Sequence, residues 1–360
     1  MAPRPTPEVE RLEPYSVPSS GRRGFLRLDF NENLIGPSPK VIARLRAVDP
    51  DDVALYPDET EARAAVARHF GLDGALELVL TSGVDEGIRL VCDAFVSRGD
   101  EVVIVEPGYA MYRFYATLAG ARITAATSGE DLGFPEQAVR ERMAGGARLV
   151  ILGDPNNPTG TPIPGGVIED LARAFPGTLI LADEAYVDFA ERSSLTLLPG
   201  HPNLIVARTF SKAYGLAGLR AGLLLARRET MSWIARMRSP YAVSTLALAA
   251  VTAALDDSPY VERYVAEVRR ARRDLSEGLA RLGVETVPSA ANFLIARIGD
   301  SAGRLREILR GKGVLVRDRS EHRLLKGTIR IGIGTREQTA VCLAAVSAAL
   351  AEIGGRGGGG

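Results

Sequence analysis

Between Asp58 and Ala226 the chain alternates short apolar runs with amphipathic stretches, and this alternation narrows the folds open to it. The runs begin at Val102, Arg122, Leu149, Leu179, Leu204 and Leu223 and end at Val105, Ala126, Leu152, Ala182, Ala207 and Leu225. They are short, mostly lack polar alternation and are mostly bounded by Gly, Pro or Asp, as expected of strands covered on both faces. Helix-period segments lie between several of them. Val84, Ile88, Val91 and Phe95, for example, recur at the spacing of one helix face. Strands alternating with helices predict an α/β fold with a mainly parallel central sheet.

The texture changes after Arg236. A long alanine-rich, charged stretch predicts extended helix over 245–282. Apolar runs follow at 293–296, 314–317 and 328–333, with helical stretches at 305–312 and 336–353. This divides the chain into an N-terminal arm (1–30), a large domain (31–235), a smaller α+β domain (236–353) and a glycine-rich tail (354–360) expected to be disordered. Of the 360 residues, 46% are hydrophobic, enough for packed cores and too many for a disordered chain. Basic and acidic residues both number 44, which argues against a nucleic-acid partner. No apolar run approaches the ~18 residues of a membrane span, and Met1 to Val9 lacks the apolar core of a signal peptide. Cys92 and Cys342 are far apart and the three histidines are isolated, so neither a disulfide framework nor a metal site is expected. A cytoplasmic location fits.

Five segments carry chemistry. Thr209-Phe-Ser-Lys212 follows an apolar run and leads to Arg220; a partly desolvated lysine there favours the neutral, nucleophilic amine. A solvated Ser-Lys turn is the plainer alternative. Asp183-Glu-Ala-Tyr186 ends another run, where acidic residues face the ligand crevice of open α/β sheets or serve as a cap or a metal ligand. Asp154-Pro-Asn-Asn157-Pro-Thr-Gly160 holds two amides between prolines, more rigid than a turn requires. Thr81-Ser-Gly83-Val84-Asp85 opens a helix and offers free N–H groups to an anion, or a plain cap by Ser82. Tyr109, just past a run, can stack on a flat ring or merely pack.

In this order and spacing the motifs resemble those of the fold-type I enzymes that use pyridoxal 5′-phosphate, within the class I/II aminotransferases. The resemblance runs from about Pro14 to about Ile353, and within that group is greatest to the histidinol-phosphate aminotransferase family. It implies a pyridoxal phosphate cofactor bound covalently by Lys212. Asp183 would pair with the ring nitrogen, Asn157 and Tyr186 would hold the ring hydroxyl, and Tyr109 would stack on the ring. The backbone of Gly83, Val84 and Asp85, with Thr209, Ser211 and Arg220, would hold the phosphate. Tyr56, in Leu-Tyr-Pro-Asp58, matches a tyrosine contributed by the neighbouring subunit, which implies a homodimer.

Arg317 and Arg330 each lie within an apolar run and need an anionic partner, either a neighbour such as Asp318 or Glu337 or a ligand. In the resembled family the matching pair is associated with the substrate phosphate, and Tyr15 and Asn31 match residues that reach or enclose the substrate. Two departures stand out. Leu34 replaces the usual proline after Asn-Glu-Asn33 and is followed by Ile35, which should make the entrance more apolar. Gly108 replaces the more usual threonine before the stacking aromatic. An aromatic or broad-specificity aminotransferase, a threonine-phosphate decarboxylase-like lyase and a non-catalytic cofactor sensor remain alternatives.

Overall fold

The computed structural model describes residues 3–12 and 21–355; Tyr15 and the tail from 356 onward lie outside the described residues. The larger sheet has seven strands: Leu76–Thr81 (β1), Glu101–Glu106 (β2), Arg122–Thr127 (β3), Leu149–Gly153 (β4), Leu179–Asp183 (β5), Leu204–Thr209 (β6) and Gly222–Arg227 (β7). Their spatial order is β1-β7-β6-β5-β4-β2-β3. Neighbours from β3 to β6 are parallel, while β7 is antiparallel to both β6 and β1.

The two-residue period of a strand sorts each apolar run onto both faces. Val103, Val150, Ile180, Val206 and Leu223 belong to one buried cluster. Val102, Ile151, Leu181, Ile205 and Leu224 belong to a second cluster. Helix Val84–Phe95 covers the second cluster, burying Val84, Ile88 and Val91 and part-burying Phe95, on the face its spacing predicts. Gly87 brings this helix close to the sheet: a Cβ there would meet Leu224 Cδ2 at 3.0 Å.

Three local expectations need correction. β3 is not covered on both faces; it is the sheet edge and fully buries only Ala126. β1 is missing from the predicted runs because Glu77 interrupts it, and the structure neutralises that carboxylate with Arg63 at 2.7 Å. The stretch over 245–282 is two helices, Thr245–Leu255 and Ser258–Arg281. The break falls at Asp256-Asp257, and Pro259 sits in the first turn of the second helix, where its missing N–H is harmless.

The smaller sheet sets Arg317–Asp318, Thr328–Gly332, Phe293–Arg297 and Glu285–Thr286 side by side, all antiparallel. The run at 314–317 changes partners: Val314–Leu315 pairs in parallel with Leu26–Arg27, tying the end of the arm to this part of the fold. Helix Arg228–Met237 straddles the expected boundary at 235, and Thr245–Leu255 packs on Pro39–Arg46 and Thr60–Phe70 of the large domain. The final helix runs from Arg336 to Gly355, through the first glycines of the tail.

Ile151 is fully buried in the middle of β4. Ile151→Ala is expected to lower stability by about 2–5 kcal/mol, read as a lower urea midpoint of the protein.

Candidate active site

The carboxyl ends of the parallel strands converge on one edge of the sheet, the edge at which open α/β sheets bind ligands. β1 runs into Gly83, β2 into Tyr109, β4 into Asn157 and β6 into Lys212, while β5 ends on Asp183 itself. Because β7 is antiparallel, it starts at this edge, and its Gly222 pairs with both Thr81 and Thr209. A cavity of about 940 Å³ opens here. Its wall brings together Val84, Asp85, Tyr109, Asn157, Asp183, Tyr186, Thr209, Ser211, Lys212, Arg220, Asn31, Arg317 and Arg330.

At one end lies an anion cup. Gly83 is the N-cap of helix Val84–Phe95 at φ 79°, in the region that favours glycine, and no side chain caps it, so the Ser82 cap does not form. Gly83's own N–H donates to Thr81 O at 2.8 Å, which leaves the N–H groups of Val84 and Asp85 for an anion. Arg220 holds φ 53° and reaches over Gly83, where an added Cβ would meet Nη2 at 2.5 Å. Its Nη2 also donates to Asp85 Oδ2 at 3.3 Å. Thr209 and Ser211 are buried beside it, with Ser211 N donating to Thr209 Oγ1 at 3.1 Å.

In the middle, Lys212 Nζ donates to Phe30 O at 3.2 Å and lies 5.4 Å from the centroid of the Tyr186 ring. The Tyr186 oxygen accepts from Asn31 Nδ2 at 3.1 Å and from Asn157 Nδ2 at 3.4 Å, so its own proton is left to point elsewhere. Tyr109 donates to Asp85 Oδ1 at 2.9 Å and packs edge-on to Tyr112. Asp183 is 4% exposed, and burial pushes its carboxyl up to about 6.

At the far end the two arginines are register partners: Arg317 faces Arg330 across an antiparallel pair. Like charges placed directly opposite are unfavourable unless an anion lies between or beside them. Arg330 is 7% exposed and donates to Asn157 Oδ1 and Asp29 O, both at 2.8 Å. Arg317 forms no ion pair with Asp318 or Glu337 among the described residues.

Some expectations fall elsewhere. Tyr56 is 78% exposed and stacks on Tyr241 at 4.3 Å, outside this chain's own cavity. Leu34 and Ile35 do not line the wall: Leu34 packs against the core and Ile35 is exposed. Gly108 is dictated by the backbone, because a Cβ there would collide with the Val105 carbonyl. Sequence reasoning assigned no role to Asn292, whose buried amide donates to Asn31 O at 3.0 Å and fixes that segment. It also missed Arg22, which binds Asp29 at 2.6 Å and Glu32 at 2.9 Å.

A family model described as aminotransferase class I and II matches residues 23–346. The chain belongs to this family. Among its relatives, the histidinol-phosphate aminotransferase of Symbiobacterium thermophilum is 38% identical, with 96% of this chain and 98% of that one covered. The histidinol-phosphate aminotransferase of Roseiflexus castenholzii is also 38% identical, over 92% of this chain and 94% of that one. Among solved structures, histidinol-phosphate aminotransferase from Sinorhizobium meliloti in complex with pyridoxal-5′-phosphate superposes with a TM-score of 0.87. It is 28% identical, covering 98% of this chain and 99% of that one.

The aminotransferase cup gives one direct test. A Cβ on Gly222 would lie 2.8 Å from Gly83 C and Val84 N, both backbone atoms. Gly222→Ala is therefore expected to push the cup open and weaken uptake of pyridoxal phosphate, used as a probe, by roughly tenfold or more, matching about 1–3 kcal/mol of overpacking. Equilibrium dialysis measures it.

Proposed function

We propose that this protein is a pyridoxal-phosphate-dependent aminotransferase that interconverts histidinol phosphate and 2-oxoglutarate with imidazole acetol phosphate and glutamate. The observation that carries the reading is one cavity with an anion cup at one end, a lysine and a buried aspartate in the middle, and two facing arginines at the other end. The residues fit the cofactor on their own chemistry. The cup has free N–H groups and a glycine pressed against Arg220, and Lys212 is the one amine in the wall among the described residues. The cofactor supplies an electron sink for the charge released when the substrate's α C–H bond breaks.

The protein's own groups do the rest. Val84 and Asp85 N–H, Thr209, Ser211 and Arg220 hold the phosphate. Asp183, ionised above about pH 6, keeps the ring nitrogen protonated, while Asn157 and the free Tyr186 proton address the ring oxygen. Tyr109 would pack on the ring. Lys212 Nζ would hold the cofactor, and its amine is placed to accept the substrate's α proton as general base. Arg317 and Arg330 hold the distal phosphate, with Asn31 enclosing the substrate. In the other half-reaction the same arginines meet a carboxylate.

Homodimer formation completes the site in this reading. Tyr56, with exposed Leu55 and Tyr241 beside it, supplies a phenol to the partner subunit's phosphate cup. Both cysteines are free and buried, as in a reducing compartment, which supports a cytoplasmic location; no helix among the described residues is long and apolar enough to cross a membrane.

The deciding experiment is a single-turnover absorbance titration of the cofactor-loaded protein without any 2-oxo acid, comparing histidinol phosphate, phenylalanine and threonine phosphate. Histidinol phosphate is expected to bleach the band of lysine-bound cofactor fastest and at the lowest concentration, leaving pyridoxamine phosphate. Equal or faster conversion of phenylalanine would move the protein to the aromatic aminotransferases. Lys212→Ala is expected to abolish turnover without unfolding the chain, and residual transamination in the absence of added amine would sink its assignment. Arg317→Gln is expected to lower kcat/KM for histidinol phosphate about 10–100-fold, the value of a charge-assisted hydrogen bond, and to affect phenylalanine much less in steady-state assays.

A further inference from the structure

Asp183 sits in a conflict that the residues assigned so far do not resolve. It is buried at the end of β5, and a buried carboxylate tends to take up a proton and lose its charge. The acidic groups nearby, Asp85 at the start of helix Val84–Phe95 and Glu184 on the following residue, push in the same direction as burial. Yet the chemistry proposed above needs this group ionised.

Two donors oppose that pressure, one on each oxygen. Ala185 N–H donates to Oδ1 at 3.0 Å and Tyr112 OH donates to Oδ2 at 2.7 Å. Tyr112 comes from helix Ala110–Leu118, is 3% exposed and lines the cavity floor. Its oxygen occupies the space above Gly153, where an added Cβ would meet it at 3.0 Å. Tyr109 meets its ring edge-on at 5.6 Å between centroids. Burial and the adjacent carboxylate keep the Tyr112 phenol protonated far above neutral pH, so it remains a donor.

We infer that Tyr112 is a positioning residue: its phenol holds Asp183 ionised and in one orientation, and through it sets the protonation of the cofactor's ring nitrogen. The inference rests on the cofactor reading above. Besides Tyr112, the groups facing Asp183 are Asp85, Tyr109, Glu184, Tyr186 and, across the cavity, Lys212. Removing a donor from the charged form raises a carboxyl's pKa, so cofactor affinity should begin to fall at a higher pH as the solution is acidified.

The test measures pyridoxal phosphate affinity against pH for the wild-type chain, Tyr112→Phe, Asp183→Asn and the double variant. In parallel, the ¹⁵N chemical shift of ring-labelled cofactor is recorded in each holoenzyme. Tyr112→Phe is expected to move the acid limb up by about one pH unit, the effect of one charge-assisted hydrogen bond. It should also shift the ¹⁵N signal toward unprotonated pyridine. In the Asp183→Asn background the same change should alter affinity by less than about twofold, since the two groups act as one unit. A melting curve of each variant checks folding. Should Tyr112→Phe fail to fold, 3-fluorotyrosine at position 112 keeps the shape, donates more strongly and should move the limb down instead. A Tyr112→Phe holoenzyme with the wild-type limb and ¹⁵N shift would overturn the inference while leaving the cofactor reading intact. A wild-type chain that takes up no pyridoxal phosphate would overturn both.

Discussion

Arg330 joins three parts of the chain that are far apart in sequence, and the shape of the site depends on it. From the smaller sheet it donates to the Asp29 carbonyl and to the Asn157 side chain of the large sheet. Asn157 shares the Tyr186 oxygen with Asn31, and Asn292 pins the Asn31 carbonyl from the smaller sheet's side. A buried guanidinium tolerates such a position only when most of its donors are spoken for. The satisfied donors and the cavity are therefore one arrangement: the hydrogen bonds that keep Arg330 in place also set the walls a substrate would meet.

The arginine clusters at and beside the site handle charge in different ways. Beside the cavity-lining Glu32, Arg22 is matched by Asp29 and Glu32, so that cluster is complete without a ligand. At the far end Arg317 faces Arg330 with no carboxylate of its own among the described residues. The first cluster holds the segment at 29–33 in place; at the second, two guanidinium groups share one register position of the smaller sheet. The contrast shows that the carboxylate neighbours of an arginine decide how far its charge is matched within the fold.

Most of the fold was legible because strand and helix periods differ so clearly. The runs at Leu149, Leu179 and Leu204 became strands buried on both faces, and Val84, Ile88 and Val91 became a buried helix face. The errors have local causes. Glu77 hides β1 until Arg63 is seen beside it, and the helix break at Asp256-Asp257 is short enough to be swallowed by alanine-rich flanks. The site was legible as a set of motifs, because Lys212, Asp183, Asn157 and Gly83 follow strands that end at one edge. What the motifs do not carry is long-range pairing. Asn292 meets Asn31 across 261 positions and Tyr112 meets Asp183 across 71, and no local pattern announces either contact.

Glycine at the cup shows why those long-range contacts matter more than any single motif. Gly83 is needed twice over, for its φ of 79° and because Arg220 lies against it. Gly222, on a strand from much later in the chain, is needed because its Cα sits against the Gly83–Val84 peptide. A helix N-terminus becomes a selective anion site only when the chain beside it leaves room. Here the antiparallel β7 provides that room, since reversing its direction brings both Gly222 and Arg220 to the edge where the parallel strands end. One reversed strand thus places a cation and a gap at the same point.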